Sequence, residues 1–205
     1  MNSLLDSLPF AIVLWLVVYA ADYYLSLYAR RLWLRNASYL MHFQGRYEIN
    51  PFAQGDENAI KRLRRRFIFM VVFGILWMLF MWGATHYLNI AQVFQVAVGF
   101  LILMEVLVLS GHVQNIRFFK SAAIAGAMEG QVTYAYWVSI VASLWKFSYW
   151  GVVFLIFSVI MSSWFFAGGV LACLYEVVRL RQRNNQMHLQ SKYASSASPS
   201  IEPKP

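Results

Sequence analysis

A single cysteine, Cys173, excludes an intrachain disulfide, so nothing in this chain depends on an oxidising compartment. Acidic residues are also scarce: nine Asp and Glu stand against seventeen Lys and Arg, and charged residues of both signs make up only 13% of the sequence. With 60% hydrophobic residues and a mean hydropathy of +0.52, the chain lacks the polar side chains to cover a water-facing surface, and its solvent is lipid. No His-x-x-His pair and no cysteine cluster is present, which argues against a zinc site. Met1 to Leu8 holds Asp6 and no Lys or Arg, the wrong start for a cleaved secretory signal, so the first apolar run reads as a retained helix. The formal charge of +8 gathers beside apolar runs, where topology and anionic headgroups account for it, and no nucleic-acid partner is expected.

What is present is a series of long apolar runs. Pro9 to Ala29, Phe67 to Tyr87 and Ala91 to Gly111 each have roughly twenty residues of low charge, the length a helix rising ~1.5 Å per residue needs to cross ~30 Å. The stretch from Ser121 to Val178 is too long for one helix and contains Glu129 and Lys146. One division places spans at 121–144 and 147–178 with a turn at Lys146; the small residues Ala122, Gly126 and Gly130, spaced for close helix approach, favour it. The other treats Phe118 to Gln131 as interfacial or re-entrant and starts the fourth span near Tyr134 with Lys146 inside; the aromatics Tyr134, Tyr136 and Trp137 favour that. The first division is the preferred one. The expected fold is all-α, a polytopic bundle of five transmembrane helices over residues 1–182 with spans at about 9–29, 67–87, 91–111, 121–144 and 147–178 and a loop at 30–66. Residues 183–205, rich in Asn, Ser and Pro, read as a disordered cytoplasmic tail.

Lys and Arg accumulate in cytoplasmic loops, and five spans with the N-terminus outside place nine of them in the first loop from Arg30 to Arg66. Arg117 and Lys120 fall on the same side, as do Arg179, Arg181, Arg183, Lys192 and Lys204, which leaves only Lys146 outside. The expected location is a cell membrane, with a bacterial inner membrane the best fit. The run Lys61, Arg62, Arg64, Arg65 and Arg66 reads as topogenic charge or as a contact for anionic headgroups. Trp82, Tyr87, Trp145, Tyr149 and Trp150 fall near the proposed outer boundary as belt anchors.

Chemistry is sought among ionisable groups inside the spans, because a charge there costs at least ~2.5 kcal/mol and must be compensated. Asp22, Glu105 and Glu129 qualify, and in the five-span topology all come to about 10–14 Å above the cytoplasmic edge. Acids sharing such a level hold protons, a metal ion or a basic partner; each can equally be a neutral hydrogen-bonding group that fastens helices. No metal or cofactor is specified. His112, two turns after Glu105, and Asn115 form a polar stripe at the cytoplasmic mouth, where His112 serves as a proton relay or headgroup contact.

The first loop contains Gly45-Arg46-Tyr47-Glu48-Ile49-Asn50-Pro51. Pro51 keeps Asn50 out of the helical region, so Glu48 and Asn50 are presented on an extended or turn segment, placed to cap the second helix or close the acidic site from below. Here the chain resembles families of small uncharacterised prokaryotic multi-span membrane proteins, which carry an Asp followed by a Thr in one helix and a Gly-x-x-Glu-x-Asn-Pro motif just beyond. The matching positions are Asp22, Ser26 in place of the Thr, Gly45, Glu48, Asn50 and Pro51. The resemblance implies that Asp22, Glu48 and Asn50 act together, and names no reaction.

Three functional classes remain. The first is a non-enzymatic subunit or scaffold that assembles with itself or with a larger membrane complex. The second is a small proton- or cation-coupled transporter or channel built on Asp22, Glu105 and Glu129. The third, an intramembrane enzyme acting on lipid through Glu48, His112 and Asn115, lacks a nucleophile constellation and ranks last.

Overall fold

A computed structural model of the chain describes residues 7–39, 41–44, 57–124, 130 and 132–197. Five long helices carry almost all of it: α1 (Leu8–Asn36), α2 (Glu57–Leu88), α3 (Ala91–Ser121), α4 (Tyr136–Ile160) and α5 (Trp164–Ala197). Two four-residue strands, β1 (Met41–Gln44) and β2 (Val132–Ala135), pair in parallel with Met41 opposite Val132. The protein is an integral membrane helical bundle: α1 and the segments Arg64–Leu88, Gln92–Ser121 and Trp137–Ile160 are each long and apolar enough to cross a bilayer. The fifth helix, α5, packs beside them but carries Glu176, Arg179 and Arg181 close behind its apolar start.

The helices outrun the apolar segments read from the sequence. α1 continues through Arg30, Arg31 and Arg35 to Asn36, and α3 runs past Gly111 to Ser121. Arg and Lys are good helix formers whose long stems reach out of the apolar layer, so the helix continues where the membrane ends. α3 takes up every residue to Ser121, and Ala122 to Ile124 turn out of the helix, while Gly126 lies outside the described residues. The expected spans at 121–144 and 147–178 are therefore replaced: α4 starts at Tyr136, runs through Lys146, and turns at Met161–Ser163. At that turn Ser162 takes a left-handed conformation (φ 48°), and Ser163 N–H donates to the Ser158 carbonyl at 3.0 Å. The α2–α3 turn is built alike, on Asn89 at φ 58°, a residue that tolerates this region. The tail is corrected too, since α5 stays helical to Ala197; residues 198–205 lie outside the described residues.

Cross-helix contacts fix the directions. Trp15 meets Gly74, and Tyr19 stacks on Phe67, so α1 and α2 are antiparallel. Ser26 meets His112, and Asn36 Nδ2 donates to the Phe119 carbonyl at 3.1 Å, so α1 and α3 are parallel. α5 is parallel to α3 and antiparallel to α4: Gly99 meets Phe165, Leu103 meets Gly169, Phe157 stacks on Phe166, and Gly151 meets Cys173. α1, α3 and α5 thus end together, and Arg35, Lys120 and Arg183 share one end of the bundle with the start of α2. The α4–α5 turn and the α2–α3 turn form the opposite end, which holds no Lys or Arg among the described residues.

α3 is the central helix, packed by α1, α2 and α5. Glycine sets its distance from α5: a Cβ at Gly99 would run into the Phe165 carbonyl oxygen, and one at Gly168 into the Val96 carbonyl oxygen. Backbones in contact at this range are how helices associate in lipid, where apolar burial between helices gains little. The outward faces of α2 and α4 stay apolar, with Phe69, Leu76, Phe80, Trp145 and Ile160 exposed, as lipid-facing surfaces require.

Candidate functional site

The site grows from a register between α1 and α3. Asp22 and Ser26 are one turn apart on α1, so both side chains face the same neighbour. Opposite them stands His112 of α3, only 5% exposed although histidine is a polar residue. Its Nε2 lies 3.0 Å from Asp22 Oδ1 and 2.9 Å from Ser26 Oγ. The tautomer decides whether the Ser26 hydroxyl donates to that nitrogen or accepts from it. The carboxylate contact is a proximity of charge more than an aligned bond, since Oδ1 of Asp22 takes no hydrogen bond of good geometry. A single ring nitrogen thus stands between a hydroxyl and a carboxylate.

Glu105 completes the group. Two turns before His112 on the same face of α3, it lies within electrostatic range of Asp22, His112 and Arg66. Tyr19, one turn before Tyr23 and Asp22 on α1, feels Glu105, Arg66 and Asp22 in the same way. Aromatic packing holds α2 against this level: Phe67 stacks on Tyr19 with ring centroids 5.5 Å apart and meets Tyr23 at 4.6 Å. That contact fixes the backbone next to Arg66, a cation at the basic end of the bundle, in front of the acids. Lys120, whose Nζ lies 5.6 Å from the Tyr28 ring, covers the α1–α3 seam one level closer to that end.

The arrangement brings Asp22 into contact with His112 and within electrostatic range of Glu105. Glu129, Glu48 and Asn50 lie outside the described residues, as do Gly45 and Pro51. Asn115, one turn beyond His112, is half-buried. His112 itself is enclosed between α1 and α3 and does not present its ring to lipid headgroups. Arg64, Arg65 and Arg66 are exposed at the start of the spanning part of α2; Lys61 and Arg62 belong to the same helix. Among the described residues, no three His, Cys, Asp or Glu side chains are grouped closely enough to hold a metal ion.

One buried acid escapes a reading of the sequence alone. Glu176 on α5 is 2% exposed and accepts from Arg179 Nη2 at 2.7 Å. The signal is its spacing, since a Glu three positions before an Arg on one helix makes a local pair that carries the acid into an apolar interface. Lys146, expected at the outer boundary, is inside the bundle, where its Nζ donates to the Leu107 carbonyl at 2.6 Å.

No family model matches the chain, and no curated protein or solved structure matches it.

Proposed function

We propose that this integral membrane protein takes up and releases protons at the Asp22–Ser26–His112–Glu105 cluster, and that this exchange drives or gates passage across a cell membrane, a bacterial inner membrane being the best fit. One observation carries the reading: His112 Nε2 lies 3.0 Å from Asp22 Oδ1 in the interior of a membrane bundle. Ionisable groups at such depth are costly and mark proton or substrate pathways. An imidazole in contact with one carboxylate, with a second carboxylic acid in electrostatic range of the first, is a side-chain set suited to proton exchange near neutral pH. The positive-inside rule supports an orientation with the basic end in the cytoplasm and the N-terminus outside, so that protons reach the cluster past Arg66. On this reading Glu48 and Asn50, grouped with Asp22 by the resemblance, close the cluster from the cytoplasmic side, and the arginines at the start of α2 rest on anionic headgroups.

The test is proton flux in liposomes that hold the full chain and a trapped pH-sensitive dye, with a potassium gradient and valinomycin to set the potential. Flux above that of protein-free liposomes, lost in Asp22→Asn and Glu105→Gln variants that still purify as folded protein, is the expected result. Flux no greater than the protein-free control, or unchanged in both variants, refutes it.

A second reading, a subunit or scaffold of a larger membrane assembly or homo-oligomer, is supported by an apolar groove of about 440 Å³ between α2 and α3, lined by Phe73, Trp77, Val96 and Phe100 among others. It predicts that the neutralising variants keep their activity in the assembly, whereas bulky substitutions in the groove abolish association.

A further inference from the structure

Among the described residues, the acids inside the bundle each have a basic neighbour. Asp22 faces His112, Glu105 lies in the field of His112 and Arg66, and Glu176 is held by Arg179. Lys146 is placed differently. Its Nζ donates to a main-chain oxygen, that of Leu107, and among the described residues it meets no carboxylate within ion-pair distance. The same oxygen already accepts from Ser110 Oγ at 2.7 Å, so it offers a shared dipole and not a counter-charge. The ammonium has donors left over after this one bond.

Gly111 stands beside the ammonium: a Cβ there would crowd Nζ at 3.0 Å and meet no other neighbour within 4 Å, so the missing side chain is what lets the ammonium lie against α3. Lys146 is half-buried ten positions into α4, which puts it ~15 Å from the basic end of that helix. Leu107 follows Glu105 by two positions, which turns it to the opposite face of α3. The Lys146 contact is therefore separate from the α1–α3 cluster, at a similar depth. A lysine inside a membrane span pairs with an opposite charge or lines a path for one. Its compact ammonium suits charge-assisted hydrogen bonds to carboxylate or phosphate oxygens.

We infer that Lys146 and Gly111 form, between α3 and α4, a binding site for a singly charged oxyanion group, delivered either by an anionic lipid headgroup or by a soluble anion. The site stands whether or not the α1–α3 cluster moves protons.

The full chain is placed in nanodiscs of phosphatidylcholine alone, of phosphatidylcholine with phosphatidylglycerol, and of phosphatidylcholine with benzoate in the buffer. Two quantities are read: the rate at which a membrane-permeant amine reagent modifies Lys146, by peptide mass spectrometry, and retention of each probe. One anionic probe is expected to slow modification roughly tenfold, as a charge-assisted contact should. Protection by phosphatidylglycerol identifies a lipid source and protection by benzoate a soluble one. Lys146→Gln, which keeps a donor for Leu107 but no charge, and Gly111→Val, which crowds the ammonium, should each weaken retention by roughly tenfold or more. Modification that neither probe slows overturns the inference, and so does retention unchanged in both variants. Should neither variant fold, protection in the unaltered chain decides by itself.

Discussion

His112 Nε2 and Asp22 Oδ1 approach to 3.0 Å across the α1–α3 seam, and Ser26 Oγ reaches the same nitrogen at 2.9 Å. The three groups form one unit, so their contributions to stability are not independent. Asp22→Asn and His112→Gln are each expected to lower the unfolding midpoint in detergent, and the double variant to lose less than the two losses combined. The coupling energy should fall at about 0.5–3 kcal/mol, the range for residues in one hydrogen-bonded network. Thermal unfolding of the four proteins of the cycle measures it, and additive losses would separate Asp22 from His112.

Glycine substitutions separate close helix approach from propensity. Gly99→Ala puts a methyl group into the Phe165 carbonyl oxygen, a backbone atom that no rotamer change removes. A loss of about 1–3 kcal/mol is expected for such overpacking. At Gly83 in α2 an added methyl group would meet nothing within 4 Å, and Gly83→Ala should gain about 0.5–1 kcal/mol by helix propensity alone. Opposite signs in one unfolding assay are the outcome to look for.

Breaking the α5 pair from its two sides should be unequal. Arg179→Gln leaves the Glu176 carboxylate buried without its closest cation, whereas Glu176→Gln leaves Arg179 able to reach water. Because the Arg179 side chain is 43% exposed, its removal should cost roughly 1–3 kcal/mol, less than for a wholly buried pair. The double variant should recover most of that loss, and equal destabilisation by the two single changes would contradict this account.

Orientation is open to chemical labelling. Cys173 is buried, so it serves as a quiet background. Asn89→Cys and Ser162→Cys, at the turns of the end without Lys or Arg among the described residues, should react with an impermeant maleimide added to intact cells. Ser121→Cys, at the basic end, should react only after the membrane is opened. The reverse pattern would invert the topology and the direction of proton entry proposed above.

The residues legible in the sequence are those whose environment is set locally. α1, α2 and α3 follow from uninterrupted apolar runs, and the nearness in depth of Asp22 and Glu105, with His112 two turns closer to the basic end than Glu105, follows from helix rise and turn count; Glu129, expected at the same depth, lies outside the described residues. Which side chains meet across a seam does not follow, because lateral packing depends on contacts such as Gly99 with Phe165 that no single segment encodes. The region after Ser121 divides differently from the sequence expectation for a physical reason: Lys146 looks like a chain break to any reading that treats a charge as incompatible with a span. A carbonyl on α3 accepts a hydrogen bond from its ammonium and keeps it inside α4. Glu176 is easily passed over because its compensating Arg179 sits on the same helix and looks like a boundary charge.

The parallel pairing of β1 with β2 has a consequence for the order in which the protein assembles. Met41–Gln44 leaves the ribosome before α2 and α3, yet its ladder partner Val132–Ala135 follows both. Backbone donors and acceptors without a partner are costly away from water, and contacts this distant in sequence form late. The ribbon therefore closes only after the α2–α3 hairpin has crossed and returned. A nascent chain arrested at Ser121 holds three helices but only one of the two strands, so the ribbon is a mark of completed synthesis through Ala135.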